Sequence, residues 1–133
     1  MIFVDSNIPM YVAGRDHPLR EPARRFLGRA RSGEIEICTS TEVLQEILYR
    51  YSALKRLDLA GAVYDLFAQL CPTVLPVTLA DTDRARVMVV SAPGLSVRDA
   101  IHAAVMLNHD ISEIATFDAG FDGIRGIDRI ALA

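Results

Sequence analysis

Five short apolar runs alternate with five segments of helical periodicity along this chain, and no other feature limits its fold as strongly. The runs fall near residues 1–5, 35–39, 73–78, 113–118 and 127–132, and the helical segments near 19–31, 41–54, 57–70, 80–92 and 97–109. Ile and Val dominate the runs, as they do in strands buried on both faces. Strands alternating with helices build a parallel sheet covered on both sides. We therefore expect an α/β, three-layer fold: a central parallel sheet of about five strands, with helices on both faces. No repeat, low-complexity tract or linker divides the chain, so a single domain is expected over 1–133.

Open parallel sheets bind ligands outside the carboxyl ends of their strands, beside the helix starts. Four acids fall at such places. Asp5 ends the run Met1-Ile2-Phe3-Val4, and Asp118 ends Ile114-Ala115-Thr116-Phe117. Glu46 lies in the helix after Ile35-Glu36-Ile37-Cys38, and Asp99 opens the helix before the Asp118 strand. Asn7 and Thr116 add neutral oxygens beside Asp5 and Asp118.

Each acid has a local role to be weighed against a chemical one. Thr39-Ser40-Thr41-Glu42 and Thr78-Leu79-Ala80-Asp81 match capping boxes, with Thr39 and Thr78 as N-caps, and this accounts for Glu42 and Asp81. Ser96-Val97-Arg98-Asp99 has the same form, yet a capping carboxylate keeps a second oxygen for a metal. Glu46 flanks the apolar stripe Val43, Leu44, Ile47, Leu48 and Tyr51, where it either faces a cleft or forms an exposed i,i+4 pair with Arg50. Spacing alone favours the pair. His102, on an Ala- and Val-lined helix, reads as a structural residue.

If the four acids meet, a cation must compensate them, because crowded carboxylates in a low-dielectric cleft otherwise take up protons. Oxygen ligands favour Mg²⁺ or Mn²⁺ over zinc, and no Cys/His spacing points to zinc. A metal held by carboxylates, with no nucleophilic Ser, Cys or Lys motif, fits phosphodiester hydrolysis by metal-activated water.

The net charge of −3 argues against a general polyanion binder. With the four acids set apart, however, the remaining charges sum to +1, nearly all the bases being arginine. Arg15, Arg20, Arg24, Arg25, Arg29 and Arg31 crowd one segment, which is equally a solvated helix face or a phosphate contact. Cys38 and Cys71 form no ligand pattern and read as reduced core thiols. No apolar run is long enough to cross a bilayer, and the start has no basic region of the signal-peptide kind. A cytoplasmic protein is expected.

Four segments, in this order, resemble PIN-domain ribonucleases, and more narrowly VapC-type toxins of toxin–antitoxin pairs. They are Ile2-Phe3-Val4-Asp5-Ser6-Asn7, Thr41-Glu42-Val43-Leu44-Gln45-Glu46, Leu95-Ser96-Val97-Arg98-Asp99-Ala100-Ile101-His102 and Ala115-Thr116-Phe117-Asp118-Ala119-Gly120-Phe121. The resemblance covers essentially the whole chain and implies a PIN-like sheet with the first strand in the middle. Asp5, Glu46 and Asp99 match the family's three core acids, and Asp118 its more variable fourth. Asn7 and Thr116 match positions that support the site through hydrogen bonds or water. Asp122 stands where an accessory acid can occur but reads better as a loop residue.

The activity so implied is Mg²⁺-dependent endonucleolytic cleavage of single-stranded or loop RNA (transfer, ribosomal or messenger), with Mn²⁺ as a substitute. It leaves a 5′-phosphate and a 3′-hydroxyl. Arg98, Arg24 and Arg25 would hold the RNA backbone, with Tyr11 and Tyr49 available for base stacking. The resemblance also implies a cognate antitoxin partner and a homodimer.

Two other classes compete. A phospho-receiver domain needs paired acids near the first strand and a late lysine, whereas Asp5 has no acidic neighbour and Lys55, the only lysine, comes too early. A haloacid-type phosphatase needs a second aspartate two residues after the first, where this chain has Asn7. The other class is a non-catalytic partner- or DNA-binding module on the same fold. Asp5→Asn or Asp99→Asn separates it from the enzyme, since only the enzyme loses RNA cleavage.

Overall fold

The computed structural model describes residues 1–132. In chain order these form β1 (Ile2–Val4), α1 (Asn7–Ala13), α2 (Arg20–Arg31), β2 (Ile37–Ser40), α3 (Thr41–Ala53), α4 (Leu57–Leu70), β3 (Thr73–Leu75), α5 (Leu79–Ser91), α6 (Val97–Asn108), β4 (Glu113–Ala115), a 3₁₀ turn (Ala119–Phe121) and β5 (Asp128–Arg129). The five strands are parallel in the order β3-β2-β1-β4-β5. All four residues of β2 are buried, so neighbouring side chains that point to opposite faces both meet protein. That is the signature of a sheet covered on both sides.

β1 lies at the centre, as the resemblance implies. The chain first builds outward from it through β2 and β3, then crosses back to add β4 and β5. This reversal sets the carboxyl ends of β1 and β4 side by side, with Val4 opposite Ala115. The next residue continues the ladder: the Asp5 N–H donates to the Ala115 carbonyl at 3.0 Å. The crevice at such a switch point is where an α/β sheet binds its ligand.

Every expected strand and helix is present, and one helix is additional. The segment Asn7–Ala13 carries Pro9 and two β-branched residues, which hides its helicity in the sequence. Pro9 sits in the first turn, where a missing N–H costs nothing, so α1 forms around it. All five strands are shorter than expected, β3, β4 and β5 the most. Pro76, with no N–H to donate, stops β3 after Leu75, and the Thr116 side chain replaces ladder contacts beyond β4. β5 is a two-residue edge strand, a length that limits unwanted pairing.

The core fixes the rotation of α3. Val43 and Ile47 are fully buried, and such side chains stabilise by about 1.5–3 kcal/mol each. A surface i,i+4 ion pair contributes only about 0.3–0.5 kcal/mol. The stripe therefore decides which way the helix faces, and Glu46 is carried inward with it. The capping register differs from expectation by one residue. Ser40, not Thr39, is the N-cap of α3 and accepts from the Val43 N–H at 3.4 Å, because β2 runs on through Thr39. Thr39 is fully buried and donates instead to the Val4 carbonyl at 3.0 Å, tying β2 to the centre. The Thr78–Asp81 cap forms as expected, with the Thr78 N–H donating to Asp81 at 2.8 Å. Cys38 and Cys71 are buried free thiols, pushed up to about 11 and about 12 by burial. Among the described residues, no helix is long and apolar enough to cross a membrane.

Candidate active-site cleft

A cleft of about 940 Å³ opens at the carboxyl ends of β1 and β4, and Asp5, Glu46, Asp99 and Asp118 all line it. Asp5 is its fixed point. The residue is 4% exposed, and its side chain accepts from the Ser6 N–H at 2.7 Å and the Thr116 hydroxyl at 2.8 Å. The Thr116 oxygen in turn accepts from the Asn7 amide at 3.0 Å and the Asp118 N–H at 3.1 Å. Asn7 accepts from the Phe117 N–H at 3.3 Å, closing a relay between α1 and the end of β4. Asn7 and Thr116 thus set the rotamer of Asp5 and the backbone course of Asp118.

Glu46 reaches the cleft from α3 and is 5% exposed. Arg98 approaches its Oε2 at 3.5 Å and Arg50 at 3.8 Å, so the pair with Arg50 exists but on a buried carboxylate. On the other oxygen, His102 Nε2 stands 3.3 Å from Glu46 Oε1 and 3.7 Å from Asp5 Oδ1. A carboxylate can only accept, so His102 donates from Nε2. Among the described residues His102 Nδ1 is buried with no partner. The ring is fully buried beside Phe3 and Phe121, with centroids at 5.8 and 6.5 Å.

Asp99 begins α6, whose N-cap Ser96 accepts from the Asp99 N–H at 3.1 Å. The Asp99 carboxylate does not return the bond to Ser96 and faces Asp118 instead. Asp118 Oδ1 accepts from the Gly120 N–H at 2.8 Å. A Cβ on Gly120 would lie 3.1 Å from Asp118 Oδ1 and 3.3 Å from Asp99 Oδ2, so this glycine leaves room for both carboxylates.

The titration pattern separates two halves of the cluster. Burial raises Glu46, but the His102 hydrogen bond and the His102 and Arg98 charges more than offset it, leaving Glu46 below its ordinary value. Burial likewise opposes a charged His102, yet Glu46 and Asp5 raise it overall. Asp5 stays raised by burial despite His102 and Thr116. Asp99 is pushed up to about 6 by burial and by the charges of Asp118 and Asp5. Two carboxylates are therefore held from behind by protein donors, while Asp99 beside Asp118 lacks a cation.

That deficit fits a divalent cation. The ligand atoms of Asp5, Glu46 and His102 lie within 4.8 Å of one another. His102 has no exposed surface and does not line the cleft, so it serves as a donor behind the acids rather than a ligand within reach of solvent. On the cleft side the donor set is carboxylate oxygen alone, which suits Mg²⁺ or Mn²⁺.

The remaining sequence candidates divide. Arg98 lines the cleft, with its guanidinium 5.9 Å from the Tyr49 ring centroid. Arg24 and Arg25 lie outside the lining, and Arg24 is paired with Glu21 at 3.1 Å. Asp122 is paired with Arg129 at 2.8 Å on the surface. The sequence reading missed the contact between His102 and two acids. Its one available signal was the i,i+3 spacing from Asp99, which puts both residues on one face of α6.

Comparisons with known proteins agree with this geometry. The PIN domain profile matches residues 2–127. Ribonuclease VapC13 of Mycobacterium tuberculosis is 45% identical over 131 residues, spanning 98% of this chain and 100% of that protein. Among solved structures, Mycobacterium tuberculosis VapC20, described as a sarcin-ricin loop cleaving toxin, superposes with a TM-score of 0.76 at 21% identity, over 96% of this chain and 98% of its own. A toxin–antitoxin complex from Klebsiella pneumoniae gives 0.68 at 15% identity, over 100% and 98% of the two chains. At such identities the two structures bear on the fold alone.

Proposed function

The chain belongs to the PIN domain family, among the VapC ribonucleases, and from that premise we propose that it is an endoribonuclease toxin that cuts RNA phosphodiesters with a divalent cation. One observation carries the chemistry: four carboxylates meet in a cleft at the sheet's switch point, and Asp99 is raised to about 6 by burial and by the charges of Asp118 and Asp5.

Asp5, Asp99 and Asp118, with Glu46 behind them, would hold Mg²⁺, with Mn²⁺ as a substitute. When bound, the ion supplies activation of water and neutralisation of charge on the phosphate oxygens. The chain's own residues do the positioning. Thr116 and Asn7 keep Asp5 in one rotamer, His102 fixes Glu46 from behind, and Gly120 lets Asp99 and Asp118 approach together. Arg98 and Arg50 stand beside the acids, where guanidinium groups can hold the RNA phosphates on either side of the cut. In-line hydrolysis then yields a 5′-phosphate and a 3′-hydroxyl.

The partners follow the same reading. Leu48, Tyr49, Leu57 and Leu66 on α3 and α4 are exposed, as are Val87, Val90 and Val97 on α5 and α6. Exposed apolar side chains of this kind suit protein partners, an antitoxin and a second copy of the chain. An RNA substrate inside the cell would put the protein in the cytoplasm, acting as a single domain.

The test is incubation of antitoxin-free protein with total RNA and Mg²⁺ or Mn²⁺, followed by mapping of product ends, against EDTA and Asp99→Asn controls. Discrete cuts with 5′-phosphates, lost in both controls, are expected. Folded protein that binds Mn²⁺ but cuts no RNA would overturn the proposal in favour of a partner-binding module.

A further inference from the structure

The cleft extends well beyond its carboxylates. Asn7, Met10, Tyr11 and Gly14 line it at i, i+3, i+4 and i+7, so one face of α1 forms a wall. At 1.5 Å per residue, Tyr11 stands roughly 6 Å along the helix from Asn7, which is about the length of one extended nucleotide step. After Gly14 the chain leaves the helix, and Arg15, Asp16 and His17 close the far end.

Two rings define this end. Tyr11 packs edge-on against Phe117, with centroids 5.3 Å apart at 88°. It also meets His17, at 4.9 Å and 40°. The His17 ring is anchored, because its Nδ1 accepts from the Leu19 N–H at 3.1 Å. An accepting Nδ1 carries no proton, so the uncharged ring holds its proton on Nε2. His17 is exposed and Tyr11 half-buried, so this is no core pair. Arg15 and Asp16 cancel in charge. The acid end suits a phosphate with its metal, whereas the far end offers π-faces and no net charge, which suits a neutral planar group.

We propose that Tyr11 and His17 form a stacking step for the nucleobase next to the scissile phosphate of single-stranded RNA, and so help to choose the cleavage site. This rests on the ribonuclease reading and deepens it. Base–aromatic stacking tolerates every base but favours unpaired ones, which are the ones free to leave a helix. Preference for looped or single-stranded RNA would then arise beside the cut rather than from base-edge hydrogen bonds.

The experiment uses short single-stranded RNAs of mixed sequence, each also made with one abasic residue at successive positions. Binding is read by fluorescence anisotropy in EDTA, and cleavage separately with Mn²⁺. His17→Ala, at an exposed position, and Tyr11→Leu should each weaken binding and raise KM roughly tenfold, while Tyr11→Phe stays near wild type. At one abasic position the wild type should lose the same factor, and His17→Ala should lose nothing further. Variants that bind and cut as the wild type does would overturn the stacking step and leave the ribonuclease standing. Wild-type protein that binds through both rings but cuts nothing would overturn the ribonuclease, and with it the choice of cleavage site, leaving the rings only a contact with RNA. If His17→Ala weakens only the grip of an antitoxin peptide, the lobe belongs to the protein partner and the proposal fails.

Discussion

Replacing Asp99 by Asn should make the metal-free protein more stable while removing its metal site. Asp99 moves from 3.8 to about 6 in the folded chain, because burial and the charges of Asp118 and Asp5 oppose its ionisation. A carboxyl raised in this way contributes stability that is fully present below 3.8 and lost as the pH rises through about 6. At about 1.4 kcal/mol per pKa unit, the cost of ionisation has an upper bound of roughly 3 kcal/mol at pH 8 and ~0.6 kcal/mol at pH 4. Solvent screening of a partly exposed group reduces this, and an acid in the first turn of α6 gives back about 0.5 kcal/mol through the helix dipole. A net gain of about 1–2 kcal/mol remains for Asn at pH 8. The Ser96 cap is untouched, since it uses the backbone N–H of residue 99. In EDTA at pH 8 the variant should melt about 5 °C above the wild type, and at pH 4 the difference should nearly vanish. With saturating Mn²⁺ the order should reverse, because a ligand at a hundred times its Kd adds about 2.7 kcal/mol to the wild type alone. A variant no more stable than wild type at pH 8, or equally favoured at both pH values, would refute the account of an uncompensated pair.

Three other outcomes follow from the same geometry. Metal affinity measured by calorimetry should fall about tenfold per pH unit below about 6, with one proton released per ion, because Asp99 must ionise to bind; a flat profile between pH 5 and 7 would exclude this. His102→Leu should weaken Mn²⁺ binding roughly 10- to 100-fold by leaving Glu46 and Asp5 without their buried donor, and His102→Gln should recover part of it; equal affinity in the Leu variant would make the histidine merely structural. Gly120→Ala should keep the thermal stability of the wild type but bind Mn²⁺ several-fold more weakly, since its Cβ crowds the Asp118 and Asp99 oxygens. Unchanged titration of that variant would mean the two carboxylates need no closer approach.

The centre of the sheet was legible in the sequence because β1 and β2 are largely buried on both faces and so read as apolar runs. Asp5 and Asp118 were legible for a related reason: an acid ending such a run must point out of the core at a strand end. Two features were not. Helix α1 carries its proline inside the first turn, where local sequence cannot distinguish a helix start from a loop. The orientation of Glu46 depends on how far α3 is rotated by Val43 and Ile47, a tertiary matter that i,i+4 spacing to Arg50 leaves open. His102 was hidden for the opposite reason. Its neighbours on α6 are small and apolar, and only the folded chain brings an acid from β1 and another from α3 against one ring.

A cleft with four carboxylates must fold before any cation reaches it, and the side chains show how the charge is shared. Glu46 is held by His102, Arg98 and Arg50, and Asp5 by Ser6, Thr116 and His102. These contacts come from β1, β4, α3 and α6, so they form with the core and need no metal. Compensating Asp99 and Asp118 as well would have filled the cleft with protein cations and left nothing for a ligand. Asp99, a helix start, and Asp118, a turn residue, instead make no ion pair among the described residues, and Asp5, despite its donors, stays raised by burial. The Asp99 N–H donates to the Ser96 hydroxyl, and the Asp118 carboxylate accepts from the Gly120 N–H. On the proposed reading an ion would meet four carboxylates already placed by the core, with Glu46 compensated and Asp5 and Asp99 raised by burial and neighbouring charge. Its binding energy would come from relieving that crowding rather than from rebuilding the fold.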